Sequence, residues 1–398
     1  MSCKNKVITS EYVSWGHPDK IADQIADQIL DDLCRQDRNT RAGIEVMVKD
    51  NIVTLGGEVK TYADIDYEKS VRKVFEWLNF PESHNLAPEK IKVINLIGKQ
   101  SPEISKMVDK DDGDIGAGDQ GFMVGYASNE APNYIPLGVY IAKRLCLGCC
   151  QLLLDKHGAF TQQHTMSGPD AKTQVVVSYD EDENPTIEYV LLSAMHPKGK
   201  LDRLRELVKD KFMRGDFFDK DIYEKYIKKK SIKIEVNPCG EWTIGGPVAD
   251  CGVTGRKIVV DQFGGYCNVG GGAFSGKDMS KVDRSAAYMC RYLAKNIVAT
   301  GICDNAKVEL SYVIGKTRPC AINIELNRNC DRVCEILGWI DKNIDLSPTG
   351  IIKRFVSDGN PIWYVNYARY GSYGFEPYAH PWENLDLVHS LKEYLNLQ

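Results

Sequence analysis

The residues best suited to chemistry in this chain are cations and carboxylates set among glycines. Gly270 to Asp278 reads GGGAFSGKD, with Lys281 and Asp283 following closely. Glycine backbone lets successive N–H groups approach an anion, and Lys277 adds a point charge. A helix opening at Val282 would present its positive end to the same place. Counted from Gly271, the spacing fits the G-x4-G-K of a P-loop, which continues with Ser or Thr to carry Mg²⁺. Here Asp278 follows instead, and the expected helix starts later than a P-loop allows. Taken alone, a glycine-rich turn with solvated lysines accounts for the segment as well as a phosphate cradle does.

Three further segments share this character. Gly16 to Lys20 (GHPDK) puts an imidazole, a carboxylate and an ammonium at a helix start, where a carboxylate can also simply complement the dipole. Gly116 to Gly121 (GAGDQG) is a tight glycine loop around Asp119, and Asp250 to Lys257 (DCGVTGRK) sets Arg256 and Lys257 beside a glycine turn. Each has an ordinary structural reading. The sequence lacks a G-x-S-x-G elbow, an HExxH pair and Cys/His spacings of a known site. The inventory suits a reaction whose difficulty is charge on a polyphosphate, handled by positioning and electrostatics.

The elements that must hold these groups mix hairpins with helices. A strand at Lys6–Thr9 leads to a helix from Pro18, whose Ile21, Ile25, Ile29 and Leu33 form one apolar stripe. A hairpin (44–48 and 52–55), a helix (71–78) and a strand (92–97) follow. Gln100 to Gly121 is a long polar loop of the kind that often serves as a lid. The middle segment reads helix 137–154, strands 173–178 and 187–194, and helix 201–212. The last has strands at 257–260, 307–314 and 321–326, a helix from Val282 to Ile297, and an ordered loop from Tyr364 to Trp382. Three segments, each with hairpins and helices, make an α+β pattern.

Composition narrows the class. The chain has 398 residues, 43% apolar and 26% charged, with net charge −5. That is an ordinary globular balance without the basic excess of a nucleic-acid binder. The run Lys225–Lys233 reads as a solvated helix end. No apolar run reaches the about 18 residues of a membrane span, and the start lacks the apolar core of a signal peptide. Thirteen cysteines, an odd number, suit reduced thiols in a cytoplasmic chain. Cys146, Cys149 and Cys150 lack a second ligand pair and read as buried helix residues.

Together the motifs resemble the methionine adenosyltransferase (S-adenosylmethionine synthase) family. The resemblance runs in order from ITSEYVSWGHPDKIADQIADQILD through GGEV, QSPEI, GAGDQG, PDAKTQVVV, IGGP and DCGVTGRKIVVD. It continues through GGGAFSGKD, SKVDRSAAY, AKNIVATG and SYVIG to PWE, nearly the whole chain. It implies three similar α+β domains around a pseudo-threefold axis, here 1–104, 114–242 and 243–398. It also implies self-association, with active sites at the dimer interface. The implied reaction joins L-methionine to C5′ of ATP and releases triphosphate, which is then cleaved to pyrophosphate and phosphate.

Carried over by motif, the resemblance implies His17, Lys172, Arg256 and Lys277 as catalytic. Asp170, Trp242, Thr243, Asp250, Lys257 and Ala273 join His17, Lys172, Arg256 and Lys277 in the ATP site. Glu58, Gln100, Asp119, Asp250 and Lys281 belong with methionine. Asp19 and Asp283 would hold Mg²⁺, two ions per site, and Glu45 one K⁺. The loop from Gln100 resembles the family's mobile gate. This chain departs from the family at Trp15 (usually Glu), Gly43-Ile44 (a small residue and Cys), Met107 (Gly), Gly168 (Arg), Asn268-Val269 (Arg-His) and Trp242 (an adenine-stacking Phe). A P-loop ATPase or kinase, releasing ADP, and a non-catalytic regulatory homologue are the alternative readings.

Overall fold

Among the described residues, alternating strands build three separate sheets, and each sheet draws on two distant stretches of chain. The computed structural model describes residues 6–78, 80–100, 115–151, 168–228, 230–356, 362–374 and 380–397. The first sheet pairs Lys6–Val13 antiparallel with Ala171–Tyr179, then Pro185–Ala194, with Lys233–Val236 parallel at its edge. The second is the hairpin Arg41–Lys49 and Ile52–Lys60, flanked by Gly252–Val253 on one side and by Lys92–Asn95 and Gly98–Lys99 on the other. The third runs Ala321–Leu326, Asn305–Tyr312, Gly121–Ser128. The sheets therefore cross the linear division of the chain at 1–104, 114–242 and 243–398.

One long helix covers each sheet: Leu137–Gln151 the first, Pro18–Gln36 the second and Val282–Ala299 the third. The architecture is α+β, as the sequence leads one to expect. Sheets present their apolar faces inward by the two-residue period; Ala42, Ile44, Val46 and Val48 are buried while Glu45 and Met47 are exposed. Cys146, Cys149 and Cys150 are fully buried on the Leu137 helix, matching the apolar reading. Among the described residues no helix is long and apolar enough to cross a membrane.

The structure corrects several local expectations. The Pro18 helix buries more than one stripe: Asp19, Asp23, Asp27 and Asp31 are buried along with Ile21, Ile25, Ile29 and Leu33. An apolar stripe reveals the helix but not that neighbours enclose it on most sides. Residues 257–260, expected as a strand, contribute instead to a single helical turn, Ile258–Asp261. Lys20, buried on the Pro18 helix, draws Asp261 in with an ion pair of 2.7 Å. Tyr364–Tyr370, expected as loop, is a helix, and Asp31 caps it by accepting the Tyr364 and Val365 N–H groups at 2.8 and 3.0 Å. A cap from so far along the chain leaves no local trace. Most of the anticipated gate, residues 101–114 with Met107, lies outside the described residues.

Candidate active site

The GHPDK segment forms the start of the Pro18 helix. His17 is its N-cap, and its Nδ1 accepts the Asp19 N–H at 3.2 Å. That bond places the ring proton on Nε2. Burial, helped by the adjacent Lys257 ammonium, lowers the His17 pKa to about 4, so the imidazole is neutral at physiological pH. Asp19 is buried; its Oδ1 accepts the Val253 N–H at 3.0 Å and its Oδ2 meets Lys257 Nζ at 2.5 Å. Burial alone would raise its pKa, but the Lys257 and Val253 hydrogen bonds hold it below the usual value. Arg256 Nε stands 3.7 Å from Asp19 Oδ1 with its side chain half exposed, free to turn to an anion.

The glycine segment lies against this cluster. A side chain on Gly255 would come within 2.6 Å of Ala273 Cβ, so the loops of Arg256 and Lys277 pack directly together. Lys277 Nζ meets Asp283 Oδ2 at 2.5 Å. Gly272 faces the Asp283 carboxylate so closely that no side chain fits there. The P-loop reading fails here. Asp278 is buried and accepts the Ala42 and Ser280 N–H groups, each at 2.8 Å, and the helix opens only at Val282. Asp278 is thus a loop brace, where a P-loop would have a metal-binding hydroxyl.

Asp170 stands deeper. Its Oδ2 accepts the Gly246 N–H at 2.7 Å, while buried Oδ1 has no hydrogen-bond partner. Burial pushes its pKa up to about 7. A buried acceptor without a donor is costly, and a ligand hydroxyl would satisfy it. Trp242 and Thr243 are partly exposed beside it. The Trp242 backbone is pinned by His196, which donates its N–H to Trp242 O at 2.8 Å and takes the Trp242 N–H on Nε2 at 3.3 Å. The Trp242 indole donates to Ile244 O at 2.6 Å. Gly168 is tied to Met195, whose Sδ would lie 3.1 Å from an added Cβ. The thioether therefore fills the space next to the backbone where the family has Arg.

The remaining expected residues form an outer arc. Lys172 pairs with Glu11 at 2.8 Å, half exposed, and with Asp250 acts electrostatically on His17. Asp250 and Asp119 are exposed. The Lys281 side chain lies 3.6 Å from where a Gly118 Cβ would stand, which brings the GAGDQG loop to the glycine segment that carries Lys277. Glu45, Glu58 and Gln100 belong to the second sheet and its end; Glu45 and Glu58 are exposed. The strand bearing Glu45 touches the cation loop through the Gly43–Lys277 bridge. Trp15 is buried beside Trp77 and Tyr370, with ring centroids at 5.8 and 6.0 Å, so it fills core where the family has Glu.

Sequence reasoning missed the braces behind the site. Asp23 Oδ1 accepts the Gly255 N–H at 3.0 Å, and Asp27 Oδ1 accepts the Gly276 N–H at 2.8 Å. With Asp19 they recur every four residues on the Pro18 helix, about 6 Å apart along its axis. That repeat in ADQIADQILD was the available signal, masked by the isoleucine stripe beside it.

This geometry agrees with the comparisons. The S-adenosylmethionine synthetase N-terminal, central and C-terminal domain models match residues 5–102, 114–242 and 244–384. An S-adenosylmethionine synthase of Mycoplasma capricolum is 38% identical over 98% of both chains. One of Helicobacter hepaticus is 38% identical over 99% of this chain and 100% of its own. An S-adenosylmethionine synthetase of Campylobacter jejuni, described as unusual, superimposes with a TM-score of 0.84 at 34% identity, covering 98% of this chain and 99% of its own. With matches that span nearly its whole length in sequence and in structure, the chain belongs to the S-adenosylmethionine synthetase family.

Proposed function

We propose that this protein is a methionine adenosyltransferase that transfers adenosyl from ATP to L-methionine. The methionine sulfur donates a lone pair to C5′, the C5′–O bond breaks, and its electron pair leaves on the triphosphate. A sulfonium forms, and water then cleaves the triphosphate to pyrophosphate and phosphate. The observation that carries this reading is the convergence of Arg256, Lys257 and Lys277 on two carboxylates at the head of two helices. A thioether is already nucleophilic and needs no base. The leaving polyanion is what needs help, and fixed cations supply it without reorganisation.

Each residue has a part in this reading. His17, neutral and with its proton on Nε2, would donate to the oxygen that leaves C5′. Lys172, Arg256, Lys257 and Lys277 would hold the triphosphate. Asp170 would take a ribose hydroxyl on its free Oδ1. Trp242, with Thr243 and Ala273, would line the adenosine site, and Asp250 would reach substrate at its edge. Glu58, Gln100, Asp119 and Lys281 would receive methionine.

The donor set fits the metals. Asp19 and Asp283 are two hard oxygen donors within the cation cluster. That is the pattern of Mg²⁺, which takes one or two carboxylates and completes its shell with phosphate and water. Two Mg²⁺ ions would neutralise charge on the triphosphate. Glu45 offers K⁺ a hard carboxylate oxygen.

The second sheet supports the reading of self-association. Met47, Ile52 and Ile94 are exposed on the sheet that also carries Glu45 and Glu58. An apolar patch of this kind suits an interface, which would bring Glu58 and Gln100 to a second copy's cations. The three linear segments would be its domains, each sheet completed by a strand from another segment, and the described cysteines, which form no disulfide, suit the cytoplasm. Incubation with ATP, methionine, Mg²⁺ and K⁺ tests the function: S-adenosylmethionine supports it, and a folded protein that forms none refutes it.

A further inference from the structure

Lys277 is held at both ends by successive residues of one helix. Asp283 takes its ammonium at 2.5 Å, and Arg284 Nη1 donates to its backbone carbonyl at 2.9 Å. The same Nη1 donates to Asp27 Oδ1 at 2.8 Å, and Nη2 donates to Asp27 Oδ2 at 2.7 Å. Asp27 Oδ1 also accepts the Gly276 N–H at 2.8 Å. On the other side, the Ile44 N–H donates to the Gly276 carbonyl at 3.0 Å. Gly276 has φ +79°, and a side chain there would collide with the Ile44 carbonyl. The peptide unit before the lysine and the carbonyl after it are thus fixed by three separate elements.

We propose that Asp27 and Arg284 are positioning residues for the reaction, acting through Lys277. Both are completely buried, so neither reaches substrate. The proposal rests on the reading of Lys277 as a triphosphate ligand. A planar guanidinium is required because its fork engages both Asp27 oxygens while Nη1 still reaches the Lys277 carbonyl. Nε is committed to Tyr288 Oη at 3.0 Å, which keeps the plane from rotating. A lysine ammonium would keep the charge and lose this geometry.

A double-mutant cycle tests this. Arg284→Lys in the otherwise native protein is expected to lower kcat about 10-fold or more, since misplacing a catalytic group by about 1 Å can cost about 100-fold. In a Lys277→Ala background the same change should lower kcat by less than about 2-fold, because the group it positions is gone. Hydrolysis of added triphosphate should follow the same pattern. Asp27→Asn, which retains an acceptor oxygen for the Gly276 N–H, carries the same cycle if Arg284→Lys does not fold; thermal melts identify folded variants. Equal losses in both backgrounds would mark a general structural role and overturn the proposal, as would a folded Arg284→Lys protein with native kcat. Native activity in Lys277→Ala alone would instead remove the role of Lys277, and the positioning role with it.

Discussion

Two neighbouring glycines give a matched test of how tightly Asp283 must be placed. A Cβ on Gly272 would lie 2.5 Å from Asp283 Cβ and overlap the carboxylate, whereas nothing lies within 4 Å of a Cβ on Gly271. Ordinary carbon contacts are about 3.5–4.0 Å, so Gly272→Ala must push Asp283 back by about 1 Å. Neither glycine has a left-handed φ, so alanine fits both backbones. Overpacking costs about 1–3 kcal/mol, and losing glycine's freedom in the unfolded chain returns about 0.4–1 kcal/mol. Gly272→Ala should therefore be destabilised by up to about 2.6 kcal/mol, and Gly271→Ala should be as stable as the native protein or slightly more so. The larger effect is on rate. Asp283 carries Lys277 with it, and a displacement of about 1 Å predicts a kcat loss on the order of 100-fold. Urea unfolding and steady-state kinetics on both variants read the two effects. A Gly272→Ala enzyme with the native kcat would refute the claim that the Asp283–Lys277 placement matters to catalysis.

Other residues give further expectations. Asp170 has a folded pKa of about 7 against an ordinary 3.8, so the folded state holds a proton that the unfolded state releases, and its contribution to stability is lost as pH rises from about 4 to 7. The stability of the native protein relative to Asp170→Asn should then fall by about 4 kcal/mol between pH 4 and pH 8; parallel urea-stability curves would contradict this. His17→Ala should lower kcat about 10²–10³-fold as a lost donor to the leaving oxygen. Because His17 stays neutral down to about pH 4, the native kcat profile should show no loss between pH 8 and 6 that disappears in His17→Gln. Arg256→Ala should slow hydrolysis of added triphosphate along with adenosyl transfer; undisturbed hydrolysis would remove Arg256 from the triphosphate site.

The parts of the site that could be read from sequence were those whose chemistry is local. Glycines beside Lys277, or GHPDK before an isoleucine repeat, carry their meaning within a few residues. The helix from Pro18 and the hairpin around Asp50 were legible for the same reason, since periodicity and turn residues act at short range. What escaped depends on distant partners. Asp31 caps a helix more than three hundred positions away, and Asp23 and Asp27 brace loops of the C-terminal segment. Nothing near Lys257 announces that Lys20 will hold Asp261 in a helical turn. The sheets likewise pair residue 6 with residue 179 and residue 48 with residue 252, which no local pattern encodes. The resemblance supplied the site list that local reading could not, but not the reasons these residues hold their places.

The central claim is that the cations stabilise a triphosphate leaving C5′ as sulfur attacks. It is tested most directly by following ATP and methionine labelled with ¹³C in its methyl group, by carbon and phosphorus NMR in the same tube with Mg²⁺ and K⁺. The methyl signal should move to that of a sulfonium while phosphate and pyrophosphate appear in equal amounts and no ADP forms. ADP accumulation with an unchanged methyl signal would contradict it.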